Sequence, residues 1–210
     1  MNWEPNFTCQ HEQRLGGMGD GPKWVCDPHR IANEQKDCLV YSIGSNNNFA
    51  FEESVHKEIS NDCEIHTFDP TISENPSNKP DYVHFHKWGL GIEDKEGVRK
   101  KRELYSMSTI VEKLGHKNRR IDIFKIDCEG CEWSTYKHWF GNGVDIRQIQ
   151  VELHDGTDKA EEGKQTPVAD SFLSYMKELG YVTFHKEANI LTSGNCIEYA
   201  FLKLDKSFFA

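Results

Sequence analysis

The chain has no apolar run near the roughly 20 residues that a membrane-spanning helix needs, so no span is expected. It also lacks a basic excess: 25 Lys and Arg stand against 34 Asp and Glu, and the net charge of -9 disfavours a nucleic-acid partner. The densest basic patch, Arg99-Lys100-Lys101-Arg102, and the pair Arg119-Arg120 read as solvated surface. Met1 is not followed by a basic region and an apolar stretch, so no signal peptide is expected in the chain as given. A trimmed leader or anchor would leave no trace, which leaves the compartment open between cytoplasm and secretory pathway. Internal repeats and low-complexity tracts are absent, which argues against solenoids and disordered tails.

A second CxxC is missing as well. Cys128 and Cys131 form the single such motif among seven cysteines, so no four-thiolate zinc site can be completed from it, and redox chemistry is the weaker reading. Cys9, His11, Cys26 and His29 could ligate zinc, or Cys9 could bridge to Cys26 in an oxidising compartment, or these are unlinked groups. Cys38, Cys63 and Cys196 are scattered. One sequon, Asn6-Phe7-Thr8, matters only for a protein that enters the secretory pathway.

What is present is an alternation of strand and helix. Residues 1–37 carry Gly16-Gly17, Gly19, Gly21 and Pro22 without a sustained period and read as an irregular arm, with a short helix near His29 to Gln35. From residue 38 to 210 the pattern is that of a single Rossmann-like domain. Leu39 to Ile43 is an apolar strand that stops at Gly44, and Phe49, Phe51, Val55 and Ile59 carry a helical stripe after it. Glu64 to Phe68, Tyr82 to His86, Ile121 to Ile126 and Arg147 to Leu153 are the next strands. Helices are expected over Ser108 to Leu114, Trp133 to Phe140 and Ala169 to Leu179, and Tyr181 to His185 with Glu198 to Leu204 close the sheet. The order predicts an α/β fold with a mostly parallel sheet, helices on both faces and an antiparallel element at the end.

Ligands of such sheets lie beyond the carboxyl ends of the strands, where strand order reverses. Those ends carry Gly44, Asp69, Gly89, Asp127 and Glu152 to Asp155. Gly44 allows close approach of backbone to a ligand, but Gly-Ser-Asn-Asn-Asn-Phe is not GxGxxG, so the diphosphate cradle of a dinucleotide site is not supported. Asp69, 25 residues after Gly44, could accept from the ribose hydroxyls of an adenosine; the plainer reading is a turn aspartate before proline.

GSNNNFAFE, IHTFDP, KWGLG and above all FKIDCEGCEW followed by IQVELH resemble the FkbM-type and related methyltransferase-like families of class I S-adenosylmethionine-dependent methyltransferases. The likeness is strongest to the subgroup found among animal methyltransferase-like proteins and covers roughly residues 9–204. Its most specific element is the box of Asp127, Glu129, Gly130 and Glu132. The resemblance implies a seven-stranded class I fold and methyl transfer to oxygen of a small molecule or glycan. Carried over residue by residue, Ser42, Gly44, Ser45, Asn46, Asn47 and Asn48 hold the methionine part of S-adenosylmethionine and Asp69 the ribose. Trp88, Gly89 and Leu90 border the adenine, and Asp127 lies beside the methyl-donor end. This chain departs from the commonest pattern in having Asp69 where many members have Glu, and cysteines at 128 and 131.

Methyl transfer to a hydroxyl needs alignment of the acceptor and removal of its proton. His154 is the expected base by its ordinary pKa, with Asp127 the alternative. A divalent cation gathered by Asp127, Glu152, His154 and Asp155 is possible but not favoured over structural roles for these side chains. His84 and His86 share a strand face without a third ligand in view, and the aromatics at 133, 136, 139 and 140 read as core. Two other readings compete: a catalytically inactive methyltransferase-like binding module, and an NAD-type oxidoreductase, which the GSNNNF turn disfavours. The oligomeric state is not readable.

Overall fold

The computed structural model describes residues 3–19, 21–33, 38–95, 102–154, 167–189 and 196–204. Residues 1–37 contain strands β1 (Glu12–Leu15) and β2 (Lys23–Cys26), followed by α1 (Pro28–Asn33). β1 and β2 pair antiparallel, so the arm read as irregular is a hairpin in part. Four-residue strands are too short to show a period in the sequence. What holds this hairpin is tertiary: the Gln148 side chain accepts from Cys26 N (2.9 Å) and donates to Cys26 O (2.7 Å), imitating a strand partner. A disulfide joins Cys9 to Cys26, which replaces both the zinc and the unlinked-thiol readings of these positions.

The chain continues through β3 (Leu39–Ile43), α2 (Ala50–Ser54), β4 (Glu64–Phe68), β5 (Val83–His86), β6 (Trp88–Leu90), β7 (Glu103–Tyr105), α3 (Met107–Lys113), β8 (Arg120–Ile126), α4 (Cys131–Thr135), β9 (Asp145–Leu153), α5 (Val168–Glu178), β10 (Tyr181–Asn189) and β11 (Cys196–Lys203). Two of the expected helices are broken. After α2 the chain widens into a π turn over Val55–Ile59, and after α4 it tightens into a 3₁₀ turn at Tyr136–His138. The apolar stripe from Phe49 to Ile59 survives that change because it is set by burial and not by hydrogen-bond pattern.

The main sheet has seven strands in the order β10-β11-β9-β8-β3-β4-β5. β5, β4, β3, β8 and β9 are parallel, and β11 is antiparallel to both β9 and β10. This is the expected mostly parallel sheet with an antiparallel end. The reversal of order falls between β3 and β8, the central pair. β3 is buried along its whole length: Leu39, Tyr41 and Ile43 join the core cluster beneath α3 and α5, and Cys38 and Val40 join the cluster on the opposite face with α1 and α2. A second disulfide, Cys38–Cys63, ties the start of β3 to the approach of β4. Tyr136 and Trp139 pack edge-to-face on Phe172 in the core, as expected for them, while Trp133 and Phe140 are only partly buried against it. No helix among the described residues is long and apolar enough to cross a membrane.

Candidate active site

The carboxyl ends of β3, β4, β8 and β9 surround a cleft of about 820 Å³, inside the roughly 300–1,000 Å³ range of small-molecule sites. Its floor begins with Gly44 at φ +81°, where an added Cβ would stand 1.7 Å from Asp127 O. The glycine is therefore required first by close packing of the β3 and β8 ends, and only secondarily leaves room for a ligand. Asn46 and Asn47 follow at φ +44° and +63°, a left-handed region that asparagine tolerates better than most residues, which accounts for the run of asparagines. Asn48 Oδ1 then accepts from Ala50 N at 3.1 Å at the start of α2.

Asp69 clamps this loop. Its Oδ2 accepts from Ser45 N (3.0 Å), Ser45 Oγ (3.3 Å) and Asn46 N (2.8 Å), while Oδ1 accepts from the backbone and hydroxyl of Thr71. Burial works against its charge, but the donors from Thr71, Ser45 and Asn46 outweigh it and hold its pKa below the ordinary value. A carboxylate offers about four lone-pair sites, and five donors already converge on this one. Asp69 thus clamps the loop at the cleft wall, where it also lines the cleft.

Of the other positions carried over from the resemblance, Gly44, Ser45, Asn46, Asn48, Gly89, Leu90, Asp127 and His154 line the cleft with Asp69, and Ser42, Asn47 and Trp88 do not. Ser42 is fully buried within β3 with its Oγ unpartnered, the Asn47 carbonyl accepts from Asn78 Nδ2, and Trp88 packs between His86 and Tyr105. Asp155 lies outside the described residues.

Asp127 sits at the centre of the charged groups. Burial alone would raise its pKa; Lys125, Lys23 and His154 together with a hydrogen bond to Glu152 reverse that and lower it. Lys125 Nζ donates to Gly44 O at 2.7 Å, so the lysine that interrupts the apolar β8 joins the two central strand ends. Lys23, buried on β2, reaches Glu198 at 3.0 Å, Glu152 at 3.4 Å and Asp127 at 3.5 Å. Burial opposes its charge, and the three carboxylates more than restore it. Glu152, which also accepts from Asn189 Nδ2 at 2.8 Å, is pushed toward protonation by burial and by Asp127, and Glu198 by burial and by Glu152. The ammonium of Lys23 thus pairs with Asp127 and Glu152, two of the four residues from which a cation site was conceivable, and ligand atoms of Asp127, Glu129 and His154, and of Glu152, His154 and Cys196, lie within 4.8 Å of one another.

His154 at the end of β9 bonds Glu132 twice: its backbone N at 2.9 Å and its Nδ1 at 3.0 Å both meet Glu132 Oε1. Its Nε2 faces Glu129 at 3.5 Å and Asp127 at 3.6 Å. Burial alone would lower its pKa, but Glu132, Asp127 and Glu129 raise it to about 9. A ring raised in this way carries both protons at neutral pH and has no lone pair to accept another. The third disulfide, Cys128–Cys131, lies in the same box, and its two cysteines line the cleft.

Lys23, Lys125, Glu132 and Glu198 are the groups that sequence reasoning missed or left without a role. A lysine inside IDIFKID was a usable signal, because an apolar strand rarely admits a charge without a partner. Lys23 gave none, because its partners are 104 to 175 residues away.

A second polar cluster lies at the β4–β5 side. Glu64, His66 and His116 bring ligand atoms within 4.8 Å of one another, a group that includes neither His84 nor His86. The network is internally satisfied: His66 meets Glu64 (2.8 Å) and His86 (2.9 Å), and His116 meets Glu64 (3.2 Å) and Tyr41 (2.7 Å). Arg119 also pairs with Glu64, and Arg120 with Asp122 (3.0 Å), so neither arginine is an uncommitted basic surface.

The strand order and the cleft at its reversal define a Rossmann-like methyltransferase fold. The chain belongs to a methyltransferase family: the family model described as "Methyltransferase domain" matches residues 1–203. It is 27% identical over 161 residues to the human "Probable methyltransferase-like protein 24", a match that takes in 72% of this chain and 42% of the relative. The chain therefore spans less than half the length of that curated relative. Among solved structures, a chain of a fibrillarin/Nop5p complex aligns with a TM-score of 0.50 at 11% identity, covering 94% of this chain and 92% of that one. An O-methyltransferase from Bacillus cereus, crystallised with SAH, aligns at 0.46 and 10% identity over 84% of this chain and 79% of its own.

Proposed function

We propose that the chain binds S-adenosylmethionine in the cleft and transfers its methyl group to an oxygen of a small molecule or glycan. The observation that carries this reading is the cleft at the β3–β8 reversal, floored by a loop without a phosphate cradle. A cationic sulfonium and ammonium suit the carboxylates of Asp127 and Glu129 on its wall, and the Gly44 to Asn48 loop, without GxGxxG, offers the diphosphate of a dinucleotide no cradle. When bound, the donor supplies an activated methyl group. Gly44 to Asn48 would hold its methionine side, with Asp69 acting on the ribose end through the loop it clamps. Gly89 and Leu90 would border the adenine.

Asp127 is the group placed to take the acceptor proton, since it faces the cleft as a carboxylate. His154, an imidazolium held by Glu132, keeps Asp127 in position and offsets its charge. No cation is required for this, because Lys23 already neutralises the inner acids. The test is transfer of a labelled methyl group to hydroxylated small molecules and glycans, by wild type and by Asp127→Asn. Loss of transfer with retained affinity for S-adenosylhomocysteine supports the assignment; full activity in the variant removes Asp127 from it, and loss of activity in chelator returns the metal.

A second reading, a binding module without turnover, is favoured by one observation. Asp127 is pinned by cations and His154 already holds its proton, so neither offers an uncommitted base. Donor binding without transfer to any acceptor class distinguishes it.

A further inference from the structure

Six of the seven cysteines are joined as Cys9–Cys26, Cys38–Cys63 and Cys128–Cys131. Four of them are buried, with exposures of 7%, 1%, 5% and 6% for Cys9, Cys26, Cys38 and Cys63, so these bridges are internal staples. Disulfides of this kind form and persist in oxidising compartments and are rare in the cytosol. That is the compartment in which the sequon Asn6-Phe7-Thr8 is read. We propose that this chain folds in the secretory pathway and that Asn6 is an N-glycosylation site.

The geometry at Asn6 fits a glycan. Asn6 and Thr8 are both exposed. The side-chain Oδ1 of Asn6 accepts from Thr183 N at 2.9 Å, so the carbonyl branch of the amide faces β10 and Nδ2 is the branch directed away from the strand. Asn6 N and Phe7 N both donate to Thr183 O, at 2.9 and 3.2 Å, which pins the sequon along the outer side of β10, the terminal strand of the sheet. Cys9, immediately after the sequon, is fixed against Phe184 and Ala200 by its bridge to Cys26.

The location is also compatible with the cleft. Asn189, which bonds Glu152 at the cleft, lies at the far end of β10 from Thr183; six residues of strand separate them by about 20 Å. A glycan on Asn6 therefore stands clear of the cleft and covers a sheet edge that would otherwise offer unpaired backbone groups to a second chain. The donor is a polyisoprenyl-diphosphate oligosaccharide. The anomeric carbon of its first sugar bonds to Asn6 Nδ2, its bond to the diphosphate oxygen breaks, the diphosphate leaves with the electron pair, and one amide proton is lost.

The test has two arms. Protein isolated from the cells that make it is unfolded, alkylated without reductant and digested with peptide N-glycosidase; wild type and Thr8→Ala are also secreted from a eukaryotic host behind an added leader. The expected result is one glycan on the Asn6 peptide, conversion of Asn6 to Asp on its removal, and alkylation of Cys196 alone. Thr8→Ala, which keeps the Asn6 to Thr183 bonds, is expected to lack the glycan and to bind S-adenosylhomocysteine as wild type does. An unmodified Asn6 in either wild-type sample, or alkylation of any of the six bridged cysteines, overturns the proposal.

Discussion

His154 Nδ1 lies 3.0 Å from Glu132 Oε1, and that contact decides the charge of the cleft wall. Glu132 is fully buried and its Oε1 also accepts the His154 backbone N, so the ring is held with one face of its charge already balanced. Glu132→Gln keeps a hydrogen-bonding shape but removes the charge. The His154 pKa is expected to fall from about 9 toward its ordinary value of about 6.5, read by NMR titration of the ring. A pKa that stays near 9 would show that Asp127 and Glu129 suffice.

Lys23 supplies the second balance. Lys23→Met removes one buried cation from Asp127, Glu152 and Glu198. Breaking a buried ion network by deleting one partner costs about 3–5 kcal/mol, expected here in urea unfolding near pH 7.5. The deficit should shrink toward pH 5, because Glu152 and Glu198, already displaced toward protonation, then take up protons in the folded state. A deficit independent of pH would mean that packing, not charge, is what Lys23 contributes.

The two histidine sites pull stability in opposite directions with pH. Burial holds His66 and His86 at about 4, below the ordinary 6.5, so the unfolded chain binds protons first as pH drops. Their contribution is complete above about 6.5 and is lost as pH falls through about 4. His154 is raised to about 9, so its contribution is complete below 6.5 and is lost as pH rises through 9. Chemical denaturation across pH 4 to 10 should show a maximum near pH 6.5 to 7, with roughly 3 kcal/mol lost on the alkaline side. A flat profile contradicts both assignments.

Much of this fold was legible because it is written locally. The strand bounds at Leu39–Ile43 and Glu64–Phe68 coincide with the apolar runs, and the box around Asp127 fell at a strand end where cleft residues belong. Less legible was anything set by distant partners. The β1–β2 hairpin depends on Gln148, and the protonated state of His154 depends on an acid one helix away. Asp69 looked like a ribose acceptor because its position along the chain fitted that role. Three of its five donors come from a loop that takes positive φ at Gly44, Asn46 and Asn47 and two from Thr71, and spacing does not encode that.

Gly44→Ala tests that shape. The new Cβ would stand 1.7 Å from Asp127 O at a φ of +81°, with backbone on the facing side. Overpacking together with a left-handed non-glycine residue is expected to cost roughly 3 kcal/mol or more, measured by thermal or urea unfolding. A variant as stable as wild type would show that the ends of β3 and β8 separate easily.

The central claim is that the cleft between β3 and β8 takes a sulfonium donor and not a dinucleotide. Isothermal titration calorimetry of the purified chain with S-adenosylmethionine, S-adenosylhomocysteine and NAD tests it directly. Saturable binding of the first two and none of NAD is the predicted result, with affinity reduced in Asp69→Ala by the equivalent of about 1.5–3 kcal/mol as the Ser45–Asn46 loop is released. Binding of NAD with no response to either methionine derivative would contradict the account.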